Sequence, residues 1–321
     1  MIKLSELTFL GKNLNRPECV LAHSDGTIHV SDWRGGVTVI YPDGGQKTIL
    51  SNSEFKPKTN GISIHSEGGW LITHLGESTG GVFRLFDSGQ LYPFLEEVDG
   101  ISLPPTNYVH RDLYDRIWIT VSTRTIPRHL NSHAGCDDGF IILVDEKGAR
   151  IVADGLGFAN ECIYHHQSKK LYVNETFTRK LTVFNVSRSG QLSNKETLTE
   201  FGHGTYPDGL TFDAVGSIWV TSIVSNRIIK VFEDGSYDII LEDSDDNHIE
   251  ITEKAYLAQN LNRELLNKNA GSKLQNISSL AFGGADLRTI YLGNILGHSI
   301  ATFRTDQIGL APPHWENRQN L

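Results

Sequence analysis

Cysteine is nearly absent, with only Cys19, Cys136 and Cys162 in 321 residues. An odd number without a Cys-x-x-Cys pair indicates neither a disulfide framework nor a structural zinc site; the three read as small buried residues. Positive charge is also in deficit. Lys and Arg total 29 against 38 Asp and Glu, a net charge of −9, which argues against nucleic acid or an anionic membrane surface as partner and is compatible with cation binding; a small-molecule substrate is the expected partner. No apolar run approaches the length of a membrane span, and Met1 to Leu10 has no basic segment followed by an apolar one. The expectation is a cytoplasmic protein. No G-x-S-x-G motif is present, so a serine hydrolase has no support.

Glycine, by contrast, is plentiful. The 31 Gly residues, many in Asp-Gly and Ser-Gly pairs, imply numerous tight turns and therefore many short strands. A 39% apolar content is enough for a sizeable core. Thr205-Tyr206-Pro207-Asp208-Gly209-Leu210-Thr211-Phe212-Asp213 reads as a strand and turn, followed by an alternating strand from Ile218. This unit recurs. Its second strand begins at Ile28, Trp70, Ile117, Leu171, Ile218 and Ile290, at separations of 42, 47, 54, 47 and 72 residues. Repeats of about 40 to 50 residues with several strands each signify a β-propeller. Six copies predict an all-β, six-bladed propeller formed by the whole chain, 1–321, as one domain. Leu4 to Leu10 is expected to supply the outer strand of the last blade and so close the ring.

Two intervals are long. Ser122 to Asp138 inserts a polar loop in the third copy, which reads equally as a lid or as disordered chain. Between copies five and six, Thr252 to Asn267 has the composition of one surface helix. The acidic run before it, Glu242 to Glu250, starts like a calcium loop at Asp243, Asp245 and Asn247. It then fails, with His248 where Gly is required and Lys254 where a bidentate Glu is required, and reads as a solvated loop.

Counting back ten or eleven residues from each second strand gives Glu18, Asn60, Asn107, Asn160, Asp208 and Ser279. In a propeller the first strand of each blade lines the central channel, so these positions form a ring. Polar residues at a wet channel mouth are expected in any propeller. Two carboxylates brought together, however, are costly without a cation. Glu18 and Asp208 with Asn carbonyls form a hard, all-oxygen donor set suited to one divalent ion, Ca2+ first, with Mg2+, Mn2+ or Zn2+ as alternatives.

Arg16-Pro17-Glu18, Asn160-Glu161-Cys162-Ile163, Pro207-Asp208-Gly209-Leu210 and Phe282-Gly283-Gly284-Ala285 resemble, in this order, the motifs of the SMP-30/gluconolactonase/LRE-like family. The resemblance implies a metal-dependent hydrolase, commonly a lactonase. It further implies that Glu18, Asn107, Asn160 and Asp208 hold the metal, that Asp208 is the catalytic base, and that Asn107 and Asn60 contact substrate. The chain departs from the family at Pro105 and Tyr108, where an Arg and an Asp are usual, and at Thr120-Val121-Ser122. These departures imply remodelled substrate contacts, for which Arg111, Arg124 and His129 are candidates. His74 and His110 are candidate proton carriers, His74 also a substrate contact. A phosphotriesterase related to the diisopropyl-fluorophosphatase propellers, a lyase or isomerase, and a non-catalytic scaffold are the rival readings.

Overall fold

The computed structural model describes residues 2–268 and 270–316. Among them, six four-stranded antiparallel sheets are arranged as the blades of a propeller, and a small hairpin pairs Glu97–Val98 with Ile101–Ser102. The innermost strands are Val20–Ala22, Thr59–Ile64, Thr106–Arg111, Ala159–His165, Thr205–Phe212 and Ile277–Gly283, one per blade in chain order. The sixth sheet is completed by the beginning of the chain, Thr8–Leu10 pairing with Ile300–Thr302. That strand is shorter than expected, because Leu4–Glu6 forms a 3-10 turn.

Why the blades stack is visible in the burial pattern. Second strands such as Trp70–His74 and Ile117–Val121 are buried at every position, so both faces of each sheet need a partner. Each pair of neighbouring blades supplies one shared apolar layer. Ile119 and Ile142 of the third blade pack with Leu71 and Val82 of the second, and Trp219 of the fifth packs with Phe282 and Ile290 of the sixth. The turn between first and second strands is fixed by its aspartate in two blades. Asp213 accepts from the Ser217 amide at 2.8 Å and from Trp219 Nε1 at 3.2 Å. Asp112 does the same for Arg116 and Trp118, at 3.1 and 2.9 Å.

The segment between the fifth and sixth blades corrects the sequence reading. The helix spans Asp246–Leu257, starting six residues earlier than expected, because Asp245 caps it by accepting from the His248 amide at 2.7 Å. The acidic run therefore forms the helix start, where negative charge is favoured, rather than a loop. Gln259, at φ 55°, ends the helix, and Asn262 caps a separate short one at Arg263–Leu266. The longer helix is not purely superficial. Ile249, Thr252, Glu253 and Tyr256 are buried at helical spacing against the blades. Glu253 accepts from Arg179 at 2.5 Å, the Gly204 amide at 2.9 Å and Tyr206 Oη at 3.0 Å.

At the other end of the channel the chain returns across the propeller. Leu310 donates to Phe212 O and Ser24 to Trp315 O, so that Leu310 to His314 lines a cavity of about 90 Å3 inside the ring. No described helix is long and apolar enough to cross a membrane.

Glu253→Ala should leave Arg179 buried without its partner and cost about 3–5 kcal/mol, read as a Tm fall on the order of 10 °C. A fall of only a degree or two would show that the helix is not docked through this residue. A second outcome follows from two histidines. Burial first, then Lys58, brings His74 down to about 4. Burial first, with Arg111 and Arg116 opposed by Asp112, brings His110 to about 4. The unfolded chain takes up these protons near 6.5 and the folded one does not, so stability is intact at neutral pH and is lost as pH falls from about 6.5 to 4. Thermal melts should show a clearly lower Tm at pH 5 than at pH 7; a flat profile would contradict the assignment.

Candidate active site

In five of the six blades the pairing between first and second strands slips at the same height. The irregularities lie between Thr59 and Ile62, Thr106 and Tyr108, Ala159 and Cys162, Pro207 and Leu210, and Ile277 and Leu280. Asn60, Asn107, Asn160, Asp208 and Ser279 all sit within these breaks. Glu18 of the first blade lies just ahead of its strand. A slip of this kind re-aims side chains that a regular strand would direct into a blade interface.

Polar groups recur at the fourth position of the second strand in five of the six blades, and in two of the broken ones the hydroxyl accepts an amide freed by the slip. Thr73 Oγ1 accepts from the Gly61 amide at 2.8 Å and Thr221 Oγ1 from the Gly209 amide at 2.9 Å. Ser31 Oγ accepts from the Cys19 amide at 3.0 Å. The same groups reach the next blade: Thr73 donates to Asn107 O at 2.8 Å, and Asn174 to Asp208 O at 3.0 Å. Ser278 Oγ donates to Glu18 O at 2.9 Å. The main chains of three ring residues are thus tethered while their side chains face the channel. Glycine follows Asn60 and Asp208 because the next inner strand presses against them; a Cβ at Gly61 would stand 2.8 Å from Tyr108 Cα, and one at Gly209 2.7 Å from Ser279 Cα.

Glu18, Asn107, Asn160 and Asp208 line one cavity of about 320 Å3, beside Arg16, Trp33, Arg128, His129 and Arg263. Asn60 stands behind this set, donating to Asn107 O and Oδ1 at 3.1 and 3.2 Å. Ser279 opens instead onto the inner cavity. The candidate substrate contacts separate. His129 lines the site cavity, whereas Arg124 turns outward into a two-point ion pair with Asp154, at 2.8 Å for each bond, and lines a different hollow. His74 does not line the cavity; its Nδ1 accepts from the Lys58 amide at 2.8 Å. Arg111 and His110 lie towards the other end of the channel, Arg111 bonded to Ile64 O and Asp115.

The chemistry of the donor set fits a hard cation. Asn107 donates its amide to Ser122 Oγ at 2.8 Å, and Asn160 donates its own to Thr176 Oγ1 at 3.1 Å. Both thereby turn their carbonyl oxygens away from those hydroxyls. Arg16 fixes one oxygen of Glu18 through Nε and Nη2 at 2.9 and 2.8 Å. The buried Asp208 carboxylate has no hydrogen bond or ion pair among the described residues. Burial, then Glu18 and Glu161, pushes its pKa well up. Arg16 and Arg128, the cationic groups beside it, offset only part of that rise. The described residues contain no cluster of three or more His, Cys, Asp or Glu suited to a metal, so a cation here depends on the two amide oxygens.

Counting back from the second strands does not reach Arg16, Glu161 or Arg128. Arg16 and Glu161 each lie within two residues of a ring position, in motifs that carry the family resemblance. Glu161 accepts from the Leu210 amide at 3.0 Å, and its pKa is pushed up to about 8 by burial, with Glu18 adding.

Residues 16–242 match the model of the SMP-30/Gluconolactonase/LRE-like region. A 6-deoxy-6-sulfogluconolactonase of Pseudomonas putida is 24% identical over 235 residues, 72% of this chain and 67% of that protein. Among solved structures, a gluconolactonase of Xanthomonas campestris superposes with a TM-score of 0.68 at 16% identity, covering 93% of this chain and 89% of that one. The calcium-binding protein regucalcin of Agrobacterium tumefaciens superposes with a TM-score of 0.66 at 15% identity, covering 97% and 98%. At such identities the superpositions speak for the fold. The chain belongs to the SMP-30/Gluconolactonase/LRE-like family.

Proposed function

We propose that the protein is a divalent-cation-dependent lactonase whose base is Asp208. The observation that carries this reading is the meeting of Glu18, Asp208 and two pre-oriented Asn carbonyls on one cavity, with Asp208 left without a hydrogen-bonding partner. The lactonase relative in Pseudomonas putida and the family membership support the substrate class. Glu18, Asn107, Asn160 and Asp208 would hold the cation, Ca2+ first, in keeping with the calcium-binding neighbour. When bound, such an ion supplies Lewis-acid stabilisation of the negative charge that develops on a lactone carbonyl oxygen.

The chain's own residues supply the rest. Asp208 takes a proton from the attacking water at a carboxylate oxygen. It then returns that proton to the leaving ring oxygen. Arg16, stacked 4.5 Å from the Trp33 ring centre, orients Glu18 through its bond to one carboxylate oxygen. Phe158, Phe177 and Ile223 form the apolar part of the wall, which lowers the local dielectric and strengthens each charge interaction.

Two measurements test this. Without added cation, Asp208→Asn should melt higher than the parent, because it removes one of the crowded buried carboxylates. The parent should gain about 3 kcal/mol at a hundredfold excess of Ca2+ over its dissociation constant, and the variant should gain little. A parent with no cation-dependent melting shift would remove the metal from the proposal. Chelated protein should lose turnover of D-glucono-1,5-lactone and recover it on refilling, and Asp208→Ala should lose about 10²–10⁴-fold in kcat. Unchanged turnover after chelation would overturn the reading.

A further inference from the structure

Three guanidinium groups line the cavity, and only one is committed to a carboxylate there. Arg16 is bound to Glu18. Arg263 stands at the rim on the short helix after the insertion. Arg128 projects from the Ser122 to Asp138 insertion, where its Nη2 donates to Ser122 Oγ at 2.9 Å and its guanidinium lies 4.9 Å from the Phe158 ring centre. Its Nε is buried without a hydrogen-bond partner, and it forms no ion pair among the described residues. Burial, with Arg16 and Arg263 adding, brings its pKa down to about 10 against the pull of Glu18 and Asp208.

The insertion that carries it is held in place. Asp138 accepts from the Arg124 and Thr125 amides at 3.1 Å each, from Thr125 Oγ1 at 3.0 Å and from Asn131 Nδ2 at 2.6 Å. Ser122 Oγ receives both Arg128 Nη2 and Asn107 Nδ2, so a single hydroxyl separates Arg128 from the ring of amide oxygens. The lining charges are three positive and two negative before any cation is counted. A divalent ion raises the excess. A half-buried cationic fork that no carboxylate pairs with directly is a ready partner for an anionic ligand.

We infer that Arg128, assisted by Arg263 at the rim, is the specificity-determining residue for an acidic group on the substrate, so that the protein takes lactones bearing a separate carboxylate, sulfonate or phosphate in preference to neutral sugar lactones. This rests on the lactonase reading for its reaction but not for its binding site. A planar fork matches any of the three anions through two parallel N–H···O bonds.

The test pairs selectivity with binding. With Ca2+ present, kcat/KM is measured for D-glucono-1,5-lactone (neutral), D-glucaro-1,4-lactone (carboxylate) and 6-phospho-D-glucono-1,5-lactone (phosphate), in the parent, Arg128→Lys and Arg128→Met. At least one acidic lactone should exceed the neutral one in the parent. The acidic-to-neutral ratio should fall about 10- to 100-fold in Arg128→Met, with part of it kept in Arg128→Lys. Calorimetry with gluconate, glucarate and 6-phosphogluconate gives a readout independent of turnover, in which an acidic product should bind the parent more tightly than gluconate and lose that margin in Arg128→Met. Melting curves check that both variants fold. A parent that opens all three lactones equally, with a ratio unmoved by Arg128→Met, overturns this inference and leaves the lactonase reading standing. Acidic products bound through Arg128 without turnover of any lactone would overturn the lactonase reading and uphold the anion site. Neither binding nor turnover would overturn both.

Discussion

The site exists because regular antiparallel pairing is interrupted at one height around the ring. A strand that kept its register through Asn107 or Asp208 would present these side chains to a blade interface filled with residues such as Tyr108 and Leu210. The slip is unfavourable alone, since it leaves main-chain amides unpaired. At Asn60 and Asp208 it persists because Thr73 and Thr221 accept the freed amides of Gly61 and Gly209. Some of the same side chains donate across to the next blade, so the polar group that permits the slip also sets the spacing between neighbours. Fold stability and site geometry therefore share the same few hydroxyls.

That coupling explains how the channel tolerates its charges. Glu18, Asp208 and Glu161 repel one another strongly enough to push Asp208 and Glu161 upward, burial being the larger cause for both. A flexible scaffold would relieve the repulsion by letting the acids move apart. Here the main chain at Asp208 is fixed by Asn174 and that at Glu18 by Ser278, and Arg16 holds the Glu18 side chain. The structure keeps the acids together, with Arg16 and Arg128 as the cationic groups that partly offset them.

The architecture and the ring were legible in the sequence because both follow from repetition. Six alternating second strands announce the blades, and a fixed offset from each finds the polar position. The fourth-position polar groups are legible the same way, since Ser31, Thr73, Thr120, Asn174 and Thr221 recur within buried strands in five of the six blades. What repetition does not encode was harder to read. The helix of the insertion begins at Asp246 rather than Thr252 because one side chain, Asp245, caps it. His74 has its ring turned back to the Lys58 main-chain amide while its neighbour Leu75 lines the cavity, a local choice that no period specifies.

Arg124 and Arg128 show most plainly where sequence reading stops. They lie four residues apart in one insertion and carry the same side chain. Arg124 reaches outward to Asp154, a residue of the outermost strand of its own blade, and Arg128 reaches inward to Ser122 and Phe158. Which arginine faces the site is decided by Asp138 and the path it imposes on the loop through its bonds to Thr125 and Asn131. The ring positions come from the repeat and supply chemistry common to any propeller built this way. The cationic wall comes from a single unrepeated insertion, so selectivity in this chain is set by residues that the repeat does not govern and that change without disturbing the ring beneath them.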